Sequence, residues 1–215
     1  MSGAPRRLAR VLDSDGRLCL VRLEGDMLQP VRGDLLGMVR DHGEPLPRSA
    51  AIMLSPVRPG TIVVVTDAGR LQLKPSSSVI GPGDTIRIPP GAAEVRAHTC
   101  VAAVIRRALS GPTAVPREHI LGRTILNDVV SLAHGALLDG GGFDSFCPLG
   151  PWIEEGVSEA LAAAVGRAGE VLTLMPGDVV ALRTGTQQSL SAGALCRVEI
   201  PGLGVLENPV GSEHE

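Results

Sequence analysis

The chain has 215 residues, of which 44% are hydrophobic and 20% charged, and a formal net charge of −3. A chain of this length buries a sizeable core without disulfides or metals. Two Phe, one Trp and no Tyr exclude a base-stacking nucleic-acid surface, which needs aromatic side chains on a basic face. No apolar run approaches the roughly 18 residues of a membrane span, so we expect neither nucleic acid nor a membrane as a partner.

The cysteines Cys19, Cys100, Cys147 and Cys196 are scattered without a CxxC pair. The N-terminal residues lack the apolar segment of a secretory leader. Both patterns favour a reduced, cytoplasmic protein whose thiols are mostly buried.

Residues 6–30 alternate apolar and polar side chains on both sides of a DSDG turn, which predicts a β-hairpin. A short helix is predicted over 34–40. The polar segment 41–50 contains two prolines and is interpreted as a linker. We therefore place a small β-rich N-terminal domain with its linker at 1–50 and a second domain at 51–215.

Beyond Met53, short strands alternate with Pro-Gly-Asp turns, as in GPGDTIRIPP (81–90) and MPGDVVALRTG (175–185). TIVVV (61–65) and CVAAVI (100–105) are continuous apolar runs, typical of strands that are buried on both faces. One helix is predicted over 157–168, with Ser158 as its N-cap. The expected fold class is mainly β, of the α+β type.

The common catalytic motifs assign no function. The sequence has no phosphate-binding loop, no GxSxG nucleophile elbow and no HExxH helix. GLG at 202–204 lacks the further glycine of a dinucleotide-binding loop and is interpreted as a turn.

Six segments together resemble the fumarylacetoacetate hydrolase superfamily, in that family's order. The segments are LSPVRPGTIVVV (54–65), LQLKPSSSVIGPGDTIRIPP (71–90), TILNDVVSL (124–132), FDSFCPLGPWI (143–153), LTLMPGDVVALRTGT (172–186) and IPGLGVLENPV (200–210). The resemblance implies a fumarylacetoacetate-hydrolase-like β-roll domain that follows the small N-terminal domain. It also implies cleavage, decarboxylation or tautomerisation of oxo-acids with Mg²⁺ or Mn²⁺.

A hard divalent ion prefers carboxylate oxygens, which the family, by resemblance, supplies from an E-x-E pair and an Asp. Asp128 stands at the position of that Asp. Asn127, Lys74 and the segment Thr184–Gly185–Thr186 match further pocket positions. The two glutamates do not survive, because their positions hold His98 and Cys100.

Other positions depart from the family in the same direction. TDAGR (66–70) runs straight into LQLKP without the family's segment that carries a water-activating His. Gly141 and Leu132 replace a Lys and an Arg that the resemblance leads us to expect, and Gln187 replaces a Pro. We expect loss of the ancestral hydrolase activity, because groups that act together lose most of their benefit when one is removed.

Two interpretations remain for His98 and Cys100. Their side chains fill the space of a lost ion, or they bind Zn²⁺ together with Asp128, since Zn²⁺ accepts nitrogen, sulfur and oxygen ligands. We expect no resident cofactor and no Mg²⁺ or Mn²⁺ site, with Zn²⁺ as the alternative.

Three functions stay open. The first is a non-catalytic paralogue or subunit that forms a homodimer or a heteromer with an active related protein. The second is a hydrolase, isomerase or decarboxylase that acts on an oxo-acid or enol with a rebuilt site. The third is a binding module that holds a small oxo-acid-like ligand in a vestigial pocket of Lys74, Asn127, Thr184, Gly185 and Thr186.

Overall fold

A computed structural model describes residues 5–92, 94–111, 117–132 and 140–212 of the chain. These residues form one α-helix, α1 (Glu159–Val171), and sixteen strands. The strands are β1 (Arg7–Leu12), β2 (Leu18–Glu24), β3 (Met27–Gly33), β4 (Val39–Asp41), β5 (Leu46–Pro47), β6 (Ile52–Met53), β7 (Ile62–Val65), β8 (Leu71–Lys74), β9 (Val79–Ile80), β10 (Ile86–Ile88), β11 (Val95–Ile105), β12 (Ile120–Ser131), β13 (Cys147–Glu154), β14 (Val179–Ser189), β15 (Leu195–Ile200) and β16 (Gly204–Ser212).

Thirteen of these strands form one sheet, in the order β4-β3-β2-β1-β13-β12-β11-β14-β7-β8, with β5, β6 and β9 paired to β3, β1 and β13. The other three form a second sheet in the order β10-β16-β15. The N-terminal strands join the large sheet where β1 pairs with β13, at Arg7 opposite Glu154. The mainly β fold class is confirmed, and the division into two domains at residue 50 stays a prediction.

The centre of the large sheet is covered on both faces, which is why its strands have few polar positions. Every residue of β12 except Arg123 is buried, and all four residues of β7 are buried. The helix α1 packs one apolar face, which includes Leu161 and Val165, against Val63 of β7 and Val180 of β14. The few polar side chains in this centre therefore lie in a low-dielectric setting.

Several local predictions can be compared with the structure. The DSDG hairpin is confirmed, because β1 and β2 pair across it. The helix is confirmed as α1, and Ser158 Oγ accepts a hydrogen bond from the Leu161 N–H.

The prediction of a helix over 34–40 is wrong. Asp34 closes a turn there by accepting the Leu36 N–H through its carboxylate, and Asp residues that bond the backbone in this way favour turns over helices. Leu46 and Pro47 of the segment interpreted as a linker pair with β3.

The cysteines agree with the prediction of free thiols. All four are unpaired, and Cys100, Cys147 and Cys196 are buried. No helix in the described part of the chain is both long and apolar enough to span a membrane.

Candidate active site

Asp128 lies in the middle of the large sheet, on β12 and directly opposite His98 of β11. It is 1% exposed. Lys74 Nζ donates to its Oδ1 at 2.8 Å. Arg183 donates to its Oδ2 through Nε at 2.9 Å and through Nη2 at 2.5 Å. Both carboxylate oxygens of Asp128 are thus bonded to positively charged side chains of the same chain.

Lys74 is the last residue of β8, where it pairs with Ile62 of β7. Its Nζ also donates to the Val129 carbonyl oxygen at 2.9 Å, and its side chain is 2% exposed. Gly141 lies beside this ammonium group: a Cβ at that position would stand 3.0 Å from Nζ. Because Gly141 has no side chain where the family resemblance leads us to expect a Lys, the Lys74 ammonium group fits beside it.

Arg183 lies on β14, opposite Cys100 of β11, and its side chain reaches Asp128 diagonally across that strand. Its Nη2 also contacts Gln72 Oε1 at 3.2 Å, and its Nη1 is 4.0 Å from Asp67 Oδ2. No family motif in the sequence identifies Arg183 as a site residue. The one sequence feature that could have indicated it is a charged residue directly after the apolar run of β14 and before the TGT segment.

We call Lys74, Asp128 and Arg183 the charge cluster. Burial alone would raise the pKa of Asp128, but the positive charges and hydrogen bonds of Lys74 and Arg183 lower it below its ordinary value. Asp128 is therefore ionised at neutral pH, and the cluster holds two positive charges against one negative charge. The bonds to both oxygens of Asp128 compensate for the burial of its charge. Removing one of the two partners would therefore lower the free energy of unfolding.

The other pocket residues predicted from the sequence do not join this cluster. Asn127 is buried and donates to Cys196 Sγ at 3.5 Å. Because neighbouring residues of a strand point to opposite faces, its side chain is directed away from Asp128. The pairing of β14 with β11 is irregular between Arg183, which is opposite Cys100, and Gln187, which is opposite His98. The residues in between are Thr184, Gly185 and Thr186. Thr184 Oγ1 donates there to the Thr99 carbonyl oxygen at 3.1 Å.

His98 and Cys100 share one face of β11, because they are two residues apart. Cys100 is fully buried, and burial raises the pKa of its thiol well above the ordinary value. His98 is partly buried, and burial followed by the nearby charge of Arg183 lowers the pKa of its imidazole. Neither side chain replaces the negative charge of a glutamate.

A hard divalent ion does not fit the donors that are present. Mg²⁺ and Mn²⁺ need carboxylate or other oxygen ligands, and both oxygens of Asp128 are already bonded within the charge cluster. Across residues 5–92, 94–111, 117–132 and 140–212, no three His, Cys, Asp or Glu side chains come together in a group that could hold a metal ion. Zn²⁺ bound by His98, Cys100 and Asp128 stays a prediction.

Comparisons with known proteins place the chain in one family. The family described as fumarylacetoacetate (FAA) hydrolase C-terminal matches residues 62–166. Protein Rv2993c of Mycobacterium tuberculosis is 26% identical, over 95% of this chain and 97% of its own. The crystal structure of 2-hydroxyhepta-2,4-diene-1,7-dioate isomerase from Mycobacterium marinum has a TM-score of 0.90 at 25% identity, over 98% of this chain and 100% of that one.

A second crystal structure adds a metal-bound example of the same fold. Maleylpyruvate hydrolase from Sphingobium sp. SYK-6, in complex with manganese(II) ion and pyruvate, has a TM-score of 0.77 at 21% identity, over 96% of this chain and 99% of that one. Isomerases and hydrolases thus share this fold. Together with the match of the family over residues 62–166, these findings show that the chain belongs to the fumarylacetoacetate hydrolase superfamily.

Proposed function

We propose that this protein is a non-catalytic member of the superfamily, in which the metal-dependent chemistry of its active relatives has been lost. The observation that carries the proposal is the bonding of both Asp128 oxygens to Lys74 and Arg183. A divalent ion that polarises a substrate oxygen must be held by ligands with free lone pairs. Here the retained carboxylate is bonded internally, and the paired glutamates are absent.

The connection between β7 and β8 supports the same conclusion. The family's water-activating His belongs to a segment that would follow β7, whereas here a tight turn joins the two strands. Thr66 N–H donates to the Arg70 carbonyl oxygen at 2.9 Å, and Gly69 N–H donates to the Thr66 carbonyl oxygen at 2.7 Å. Arg167 of α1 donates to the Gly69 carbonyl oxygen. Because this turn joins β7 directly to β8, the segment that would carry the catalytic base is missing. Loss of a general base typically costs 10²–10⁴-fold in rate.

The vestigial pocket is also a poor binding site. Lys74 is the side chain that would hold an oxo-acid carboxylate, yet it is 2% exposed and is bonded to Asp128 and Val129. A ligand would have to displace these internal bonds in order to reach the ammonium group. The binding-module alternative at this position is therefore weaker than the non-catalytic one.

The enzymatic alternative keeps one candidate group, His98, which would serve as a base for oxo-acid or enol chemistry in a rebuilt site. An assay separates it from the proposal. The purified protein is tested for acylpyruvate hydrolysis and for oxaloacetate decarboxylation and tautomerisation, with added Mn²⁺ or Mg²⁺ and with EDTA, beside an active superfamily member. We expect no turnover above buffer. Turnover that His98→Ala or Asp128→Asn removes would overturn the proposal.

As a non-catalytic member, the protein would act through association, as a homodimer or as a heteromer with an active related protein. The segments that the family shares outside the site are retained, and they form β10, β13 and β16 of the structure. We expect a dimer in light scattering of the protein alone, or a complex when it is mixed with an active relative. A monomer under both conditions at high micromolar concentration would contradict this role.

A further inference from the structure

A second polar region lies where β1 meets the segments before β7 and after β8. A cleft of about 590 Å³ opens there, and its polar side chains are those of Arg10, Ser55, Arg58, Ser76, Ser77 and Asp84. No residue of the charge cluster lines it. We call it the cationic cleft.

The two arginines of the cationic cleft lack counter-ions. Arg10 is half-buried, and its Nη1 donates to the Ser55 carbonyl oxygen at 3.2 Å. Arg58 is exposed. Within the described residues, no carboxylate comes within ion-pair distance of either guanidinium group. Arg22 and Arg197, by contrast, each bond two carboxylates.

Arg10 and Arg58 line the same cleft. Burial, and then the positive charge of Arg58, lowers the pKa of Arg10 from its ordinary value. Two like charges that face one cleft with low-dielectric walls raise the local potential and attract anions. Arginine is also suited to this task, because its planar fork matches the oxygens of a carboxylate or phosphate.

The serines of the cleft add unused donors. Of the three serines that line the cleft, Ser55 already donates its hydroxyl hydrogen to the Val57 carbonyl oxygen. The hydroxyls of Ser76 and Ser77, which line the cleft, have no such partner in the described part of the chain. Asp84 is the one acidic side chain of the lining, and its Oδ2 is bonded to the Gly81 N–H at 2.7 Å.

We propose that the cationic cleft binds a small organic anion whose carboxylate or phosphate group lies between Arg10 and Arg58. The hydroxyls of Ser76 and Ser77 donate further hydrogen bonds to the same ligand. This site is separate from the charge cluster and does not depend on whether the protein is catalytic.

Thermal unfolding tests the proposal, because a ligand that binds only the folded state raises Tm with concentration. The protein is titrated with inorganic phosphate, with malonate and with sodium chloride at matched ionic strength. We expect phosphate or malonate to raise Tm beyond the chloride series. Phosphate alone points to a phosphorylated ligand, and malonate alone points to a carboxylate ligand.

The variants assign the effect to the cleft. Arg58→Gln, at an exposed position, should weaken binding about tenfold or more, as expected for loss of a charged hydrogen-bond partner. Arg10→Gln should do the same, and Arg32→Gln, an exposed arginine outside the cleft, should bind like the unaltered protein. If neither anion exceeds chloride, or if Arg58→Gln binds as well as Arg32→Gln, the proposal is wrong.

Discussion

Arg183 donates two hydrogen bonds to a single oxygen of Asp128, from Nε at 2.9 Å and from Nη2 at 2.5 Å. The other oxygen is bonded to Lys74. The family resemblance assigns this position to a metal-binding carboxylate, and here the side chains of the same chain neutralise it. Lys74 and Arg183 thus supply two positive charges beside the buried negative charge of Asp128.

The bond between Arg183 and Asp128 should contribute strongly to stability. Arg183→Met removes two hydrogen bonds from a buried carboxylate that Lys74 still compensates, and the loss of hydrogen bonds to a charged group typically costs about 1.5–3 kcal/mol. We expect a loss of that size in the free energy of unfolding, measured by urea denaturation. Arg96→Met is the matched control on the same sheet. Its contact with Glu94 at 3.7 Å is exposed, so the control should cost less than about 1 kcal/mol. Equal losses in the two variants would contradict a strong contribution of this bond to stability.

Removing the internal cation should allow a metal site to be rebuilt. In the variant His98→Glu/Cys100→Glu/Arg183→Ala, two carboxylates on one face of β11 join an Asp128 that has one free oxygen. We expect this triple variant to bind Mn²⁺ at least about tenfold more tightly than the double variant His98→Glu/Cys100→Glu. In the double variant, Arg183 still donates its hydrogen bonds to Asp128. Electron paramagnetic resonance of free Mn²⁺ measures both, with circular dichroism to confirm folding. Equal affinities would mean that Arg183 does not compete with a metal.

Part of this site could be predicted from the sequence and part could not. Asp128 and Lys74 stand in segments that resemble family motifs, so their positions were identified. Arg183 was missed because its role depends on the pairing of β14 with β11, which brings it to Asp128 from 55 residues away. The helix α1 was predicted because its cap and apolar positions are local in sequence. The turn at Asp34 was not predicted, because its apolar neighbours also fit a short helix.

The thiols should differ in reactivity according to burial. Burial raises the pKa of Cys147 to about 12 and that of Cys196 to about 11, and the thiolate is the reactive form. We expect iodoacetamide to label Cys19 first in the native protein. Its rate should rise about tenfold per pH unit below its pKa, because the thiolate fraction rises with pH. Cys147 and Cys196 should stay protected from pH 7 to pH 9.

Mass spectrometry of the labelled peptides measures this order of reaction. The Cys19→Ser variant should take up almost no label while folded, and the urea-denatured protein should be labelled at all four positions. Rapid labelling of Cys147 in the native state would contradict the buried placement of β13.

The most direct measurement of the central claim is a calorimetric titration of the purified, chelator-treated protein with Mn²⁺, run beside an active superfamily member. Because Lys74 and Arg183 already bond both oxygens of Asp128, we expect no saturable binding up to about 1 mM Mn²⁺. The active relative should bind the ion under the same conditions. Stoichiometric binding of Mn²⁺ that disappears in the folded Asp128→Asn variant would contradict the claim.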